Sequence, residues 1–151
     1  MSFDKTMGWY SQNSFGYILN IFQKNHRNYF NNELSEYGLN LVQAVCLMVI
    51  DENKHFSQKD LADELHLTKG AITKAIGKLE KDGWITREKS ARDKRHFVLK
   101  LTDKGKEAIP IFYNIKSDWE SKMNLNELTP EFIETFKNLT LRSADLNSKY
   151  E

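Results

Sequence analysis

The chain has 151 residues, 40% of them hydrophobic, and a formal net charge of only +1. That length supports one core or a small domain with accessory helices, and no apolar run approaches the roughly 20 residues needed to span a bilayer. Residues 1–10 lack the basic start and apolar core of a secretory signal, and the single cysteine, Cys46, excludes an intrachain disulfide, so a reducing, cytoplasmic location is expected.

In chain order, residues 1–10 show no period and are expected to form a loose arm. Residues 13–30 place Phe15, Ile18, Leu19, Phe22, Tyr29 and Phe30 at helical spacing. One long helix is expected there, more apolar than a single neighbour requires, which points to partner contact. Gly38 falls in a break. Residues 41–50 (L-V-Q-A-V-C-L-M-V-I) fit a strand by composition, but their length and helical context favour a buried helix. Cys46 lies in this stretch, so its thiol is expected to stay protonated and inert.

Ser57 opens the clearest local grammar. Its hydroxyl can cap a helix start, Asp60 stands three residues on, and Phe56 and Leu61 occupy the staple positions. His66-Leu67 forms a tight turn, and Thr68 caps the next helix with a Leu67–Ile72 staple. Two short capped helices so closely joined make a helix-turn-helix. Within the second, Ile72, Ile76 and Leu79 form the buried stripe. Gly70, Thr73, Lys74, Gly77, Lys78 and Lys81 share the opposite face, with no acid among them. Gly83 ends the helix as a left-handed C-cap.

From Trp84 the period changes. Residues 85–88 and 96–101 read as strands, the second alternating Phe97, Leu99 and Leu101 against His96, Val98 and Lys100. Between them lies the polar tip K-S-A-R-D-K-R, completing a winged helix. Thr102 caps a further helix carrying Ala108, Ile109, Phe112, Ile115, Trp119 and Met123, in which Pro110 should bend the helix or remove one hydrogen bond. Leu128-Thr129-Pro130 signals a last helix running to about residue 149, with Phe132, Ile133, Phe136, Leu139 and Leu146.

The charge is segregated. Residues 68–106 hold twelve Lys/Arg against five acids, whereas the remainder holds ten against sixteen. Positive charge therefore collects where the helix-turn-helix and wing lie, as recognition of a polyanion requires. A helix fits the major groove of DNA and reaches base edges with its N-terminal turn, here Thr68, Lys69, Gly70 and Ala71. Thr73 and Lys74 lie where side chains meet bases, and Lys78 and Lys81 suit the phosphates. At the tip, Arg92, Lys94 and Arg95 surround Asp93. Arginine suits a narrow minor groove, and Asp93 is expected to hold the Arg95 guanidinium in an extended, bidentate pose. The bland alternatives are a solvated lysine face and an exposed ion pair worth little.

The runs S-Q-K-D-L-A-D-E-L-H-L-T-K-G-A-I-T-K-A-I-G-K-L-E-K-D-G-W-I and R-D-K-R-H-F-V-L-K-L-T-D-K-G resemble the MarR family of bacterial and archaeal regulators over residues 57–105. The resemblance implies a homodimeric repressor on a pseudo-palindromic operator, with helix 68–82 in the major groove. It places the wing arginine that matches Arg95 in the minor groove, with Asp93 as its partner. It also implies release by a small phenolic or anionic effector bound between dimer helices and winged domain. Trp9, Tyr17, His26, Arg27 and Tyr29 are the candidates to line that site. The tip departs from the family's frequent D-P-R-D, reading S-A-R-D instead.

The expected fold is mainly α (α+β): a winged helix-turn-helix with a small antiparallel hairpin and long N- and C-terminal dimerisation helices. Residues 1–35 would form the arm and first dimerisation helix, 36–104 the DNA-binding domain, and 105–151 the C-terminal dimerisation helices. The expected partners are double-stranded DNA, a second copy and the effector, with no membrane. No enzyme, cofactor or metal site is expected: no phosphate loop or nucleophile motif occurs, and His26, His55, His66 and His96 are dispersed. The competing reading is a winged-helix protein–protein interaction module.

Overall fold

The first backbone N–H groups of a helix have no partner within it, so a side chain that accepts from them fixes where the helix begins. The computed structural model describes residues 14–148, and all six helices in that range begin at such a cap. Ser14 starts α1 (Phe15–Leu34), its hydroxyl accepting from Tyr17 N at 3.2 Å. Asn40 starts α2 (Leu41–Glu52) through a reciprocal pair: Gln43 N donates to Asn40 Oδ1 at 2.9 Å, and Asn40 N donates to Gln43 Oε1 at 3.0 Å. Ser57 and Asp60 form the equivalent box for α3 (Gln58–Leu65). Thr68 caps α4 (Lys69–Lys81), Thr102 caps α5 (Asp103–Lys122) and Thr129 caps α6 (Pro130–Ser148). Between α4 and α5, β1 (Ile85–Lys89) pairs antiparallel with β2 (Phe97–Leu101), Ile85 opposite Leu101 and Lys89 opposite Phe97.

The expected arm of residues 1–10, including Trp9, lies outside the described residues. Helix α1 runs four residues beyond the expected end at Phe30. Leu34, one turn further on, continues the buried stripe, and a 3₁₀ turn at Ser35–Tyr37 then leads to Gly38 at φ 70°. The apolar stretch after it is helical as expected, because its length and the Asn40–Gln43 cap outweigh its strand-like composition.

The chain forms two compact units that meet within α2, one ending at Val45 and the other beginning at Cys46. In the first, Phe30, Leu34, Leu39 and Ala44 are buried, and the buried amide of Gln43 is satisfied by its cap. In the second, Leu47, Leu61, Ile72, Ile76, Leu79, Ile85, Leu99 and Phe112 build the core. Cys46 is buried there, and loss of water pushes its thiol up to about 12, so it is protonated at neutral pH. Among the described residues, no single helix is long and apolar enough to cross a membrane.

One local expectation needs correction. The alternation assigned to the second strand is broken, because Phe97 is exposed while the neighbours Val98 and Leu99 are both buried. Strand β2 touches both α3 and α5, and Leu99 N donates to Phe56 O at 2.9 Å, so its base is covered on both sides while Phe97 stands beside the open tip. Pro110 lies inside α5 as expected, and the helix is continuous through it although proline has no N–H to donate.

The wing is fastened to α5 by a close approach. Thr102 Oγ1 donates to Gly83 O at 2.7 Å and lies 3.1 Å from Trp84 O, while Thr102 N donates to Trp84 O at 3.1 Å. Gly83, at φ 80°, turns the chain out of α4 into this clamp. A Cβ on Gly105 would lie 2.5 Å from Trp84 O, a backbone atom that cannot swing aside. Gly105→Ala is therefore expected to destabilise by about 2 kcal/mol, lowering Tm by about 4–8 °C in a calorimetric melt. Gly77→Ala, where a Cβ meets nothing within 4 Å, should leave Tm unchanged or raise it. Equal effects at the two sites would contradict this account.

Candidate nucleic-acid interface

Helix α4 buries Ile72, Ala75, Ile76 and Leu79, which turns Gly70, Thr73, Lys74, Gly77, Lys78 and Lys81 to the exposed side. Thr68 Oγ1 accepts from Ala71 N at 3.2 Å, so the N-terminal turn of Lys69, Gly70 and Ala71 is set on the surface with its positive dipole end outward. Lys69 and Lys74 take part in no ion pair seen among the described residues. Lys78 does: its ammonium lies 2.6 Å from Asp82 Oδ2, one turn on, and that bond holds the Asp82 carboxyl below the usual range. A phosphate must compete with Asp82 for Lys78, whereas Lys74 carries no such restraint.

The wing tip is ordered by its own hydrogen bonds. Ser90 Oγ accepts from Arg92 N at 3.2 Å and Asp93 N at 3.4 Å, and His96 N donates to Asp93 O at 3.0 Å. Ser90 thus caps the turn with its hydroxyl, which answers how S-A-R-D forms a tight tip. Asp93 Oδ1 accepts from Arg95 N at 3.0 Å and Arg95 Nε at 3.3 Å, while His96 Nε2 lies 3.6 Å from Oδ2. The bidentate Asp93–Arg95 pairing expected from the sequence does not form. One carboxylate oxygen serves both the backbone and Nε, because two residues of separation bring them to the same side. The Arg95 side chain is 88% exposed. Arg92 and Lys94 are exposed on the same tip.

The backbone N–H of Arg95, then its side chain, holds the Asp93 carboxyl below the usual range. A folded carboxyl that binds its proton more weakly than an unfolded one contributes fully above the ordinary carboxylate range and loses its effect as pH falls through the lowered value. The Arg95 amide resonance is therefore expected to stay constant from neutral pH down past the usual carboxylate midpoint and to shift only below it. A transition at or above the ordinary value would remove the Asp93 lock.

The effector candidates divide. His26 and Tyr29 lie along α1 around Phe30, with ring centroids 4.9 and 5.5 Å from it, and Arg27 is exposed beside them. Partial burial, then the Arg27 charge, lowers the His26 pKa. Tyr17 stands nine residues before His26, about 14 Å along the helix, so it does not join that group. Among the described residues no cluster of His, Cys, Asp or Glu could hold a metal ion. Sequence reasoning missed Gln58, whose amide reaches Thr73 from the first turn of α3 at 3.0 Å.

A capped helix pair, a basic exposed second helix and an arginine-bearing hairpin define a winged helix-turn-helix protein of the DNA-binding class. The profile of the MarR family matches residues 39–97. The HTH-type transcriptional regulator BilQ of Clostridioides difficile (strain CD3) is 33% identical over 126 residues, covering 83% of this chain and 85% of BilQ. A crystal structure of MarR, 28% identical, superposes with a TM-score of 0.64 over 87% of this chain and 96% of that one. The S. aureus MepR–DNA complex, 21% identical, shares the fold with a TM-score of 0.77, covering 88% and 96% of the two chains. The chain belongs to the MarR family, and it is a DNA-binding transcriptional regulator.

Proposed function

We propose that the protein is a homodimeric repressor that reads a pseudo-palindromic operator, with α4 in the major groove and residues 89–95 in the minor groove. The observation that carries this reading is the exposed face of α4 bearing Lys74, Lys78 and Lys81 beside a self-ordered wing tip bearing Arg95. Thr68, Lys69, Gly70, Ala71, Thr73 and Lys74 would meet bases and adjoining phosphates. Lys78 would add a phosphate contact at the expense of its bond to Asp82. Arg92, Lys94 and Arg95 would enter or flank the minor groove, with Asp93 holding Arg95.

The dimer follows from apolar surface that a single chain leaves open. Phe15, Ile18, Leu19 and Phe22 on α1, and Phe132, Ile133, Phe136 and Leu139 on α6, are exposed. A two-fold axis would set the two α4 helices about 34 Å apart, one turn of DNA. Residues 1–35 and 105–151 would supply the dimer and residues 36–104 the DNA contacts. A small phenolic or anionic effector would release DNA by binding better to another spacing of the two helices. His26, Arg27 and Tyr29 are its proposed contacts, and Tyr17 and Trp9 remain further candidates on α1 and before it.

Selection of a randomised duplex library with the full-length protein tests this reading. The expected product is an inverted repeat whose affinity falls steeply with salt. Recovery of no motif would overturn it and favour a protein–protein interaction module.

A further inference from the structure

Helices α3 and α4 share one polar contact on the exposed side. The Thr73 hydroxyl donates to Lys69 O at 2.7 Å and accepts from Gln58 Nε2 at 3.0 Å. A hydroxyl carries one proton, and Lys69 O takes it. Gln58 must therefore turn its NH₂ toward Oγ1, since a carbonyl oxygen there would face another oxygen with no proton between them. These two bonds fix the Thr73 rotamer and occupy its only donor and one of its two acceptor positions.

What Thr73 has left to offer a ligand is chiefly its methyl group. Its neighbours along the exposed face, Gly70 three residues before and Gly77 four residues after, have no side chain, and a Cβ at either would meet nothing within 4 Å. Thr73 is exposed, and the two glycines leave the space beside it open. In the major groove the apolar partner for such a methyl is the C5-methyl of thymine, while the N7 and O6 acceptors of a purine call for a donor that Thr73 has already committed.

We propose that Gln58 is a positioning residue that locks Thr73 so that α4 reads the methyl of one thymine in each half-site. This rests on α4 lying in the major groove, as proposed for the operator complex. Gln58 acts through Thr73, taking one of the hydroxyl's two acceptor positions while Lys69 O takes its proton.

The test uses the full-length protein and a duplex recovered from a randomised library. Each thymine is replaced in turn, symmetrically in both half-sites, by deoxyuridine, which removes only the methyl. One position is expected to lose roughly fourfold in affinity per half-site, the worth of one buried apolar carbon. That penalty should persist in Thr73→Val, which keeps a methyl and lacks the hydroxyl, and vanish in Thr73→Ser. It should shrink in Gln58→Met, which keeps the length of the side chain without its donor. Because each readout is a ratio of two duplexes, a general loss of affinity does not enter it. A penalty kept by Thr73→Ser, or lost in Thr73→Val, would overturn methyl reading. A full penalty in Gln58→Met would overturn positioning by the hydrogen bond. A motif with no uracil-sensitive thymine would refute the inference and leave the operator reading intact, whereas recovery of no motif would refute the operator reading itself.

Discussion

Lys74→Glu is expected to weaken binding to the selected duplex by about 100-fold or more at fixed salt, with the proposed dimer intact. Lys74 stands in the middle of the exposed face of α4, beside Thr73, and belongs to none of the ion pairs seen among the described residues. Its reversal therefore leaves those pairs undisturbed and replaces an attraction to DNA with a repulsion. A contact at a base edge is worth about 1–3 kcal/mol, and a two-fold dimer loses it twice. Even about 1.5 kcal/mol per copy multiplies to about two orders of magnitude. Fluorescence anisotropy across a salt series should also show a shallower slope, since fewer counterions are released. Lys78→Ala supplies the contrast. Its ammonium already rests on Asp82 at 2.6 Å, so its removal is expected to cost less than about tenfold. Unchanged affinity in Lys74→Glu, with the fold retained by circular dichroism, would remove α4 from the groove.

Why Lys74 was visible in the sequence and Gln58 was not has a physical reason. Lys74 belongs to a periodic pattern: once Ile72, Ile76 and Leu79 define the inner stripe, the outer face follows from the helical repeat. The caps at Ser57, Thr68, Thr102 and Thr129 were legible for a similar reason, because donor and acceptor lie within three residues. Gln58 and Thr73 are fifteen residues apart, and only the angle between α3 and α4 brings them together. The same limit governs the wing. Strand composition announced the hairpin, yet the burial of Val98 beside Leu99 depends on α3 and α5 both touching β2. The Asp93–Arg95 association was legible from spacing, whereas its single-oxygen geometry depended on the backbone of the tip.

Phe136→Asp is expected to convert the proposed dimer to monomers at micromolar concentration and to abolish tight operator binding without disturbing α4 or the wing. The argument starts from α6, which has no buried residue in the single chain although Phe132, Ile133, Phe136 and Leu139 recur along it. Phe132 and Phe136 stack with centroids 6.0 Å apart, forming a ready apolar ridge. So large an exposed stripe marks an association surface, and its helical period fits a second helix. Burying one phenylalanine contributes about 1.5–3 kcal/mol, and a two-fold interface contains each residue twice. Its replacement by a carboxylate adds the cost of burying charge, so the dimer dissociation constant should rise by about three orders of magnitude or more. Sedimentation would show the change of mass. Since Phe136 is exposed in the single chain, its substitution should cost the fold of that chain little stability, unlike Gly105→Ala. The loss of operator binding would then come from separating two half-site contacts that the proposed dimer would hold at one DNA spacing. A Phe136→Asp protein that remains dimeric would place the interface elsewhere, and a monomer that still binds the full operator tightly would show that α4 and the wing suffice without a twin.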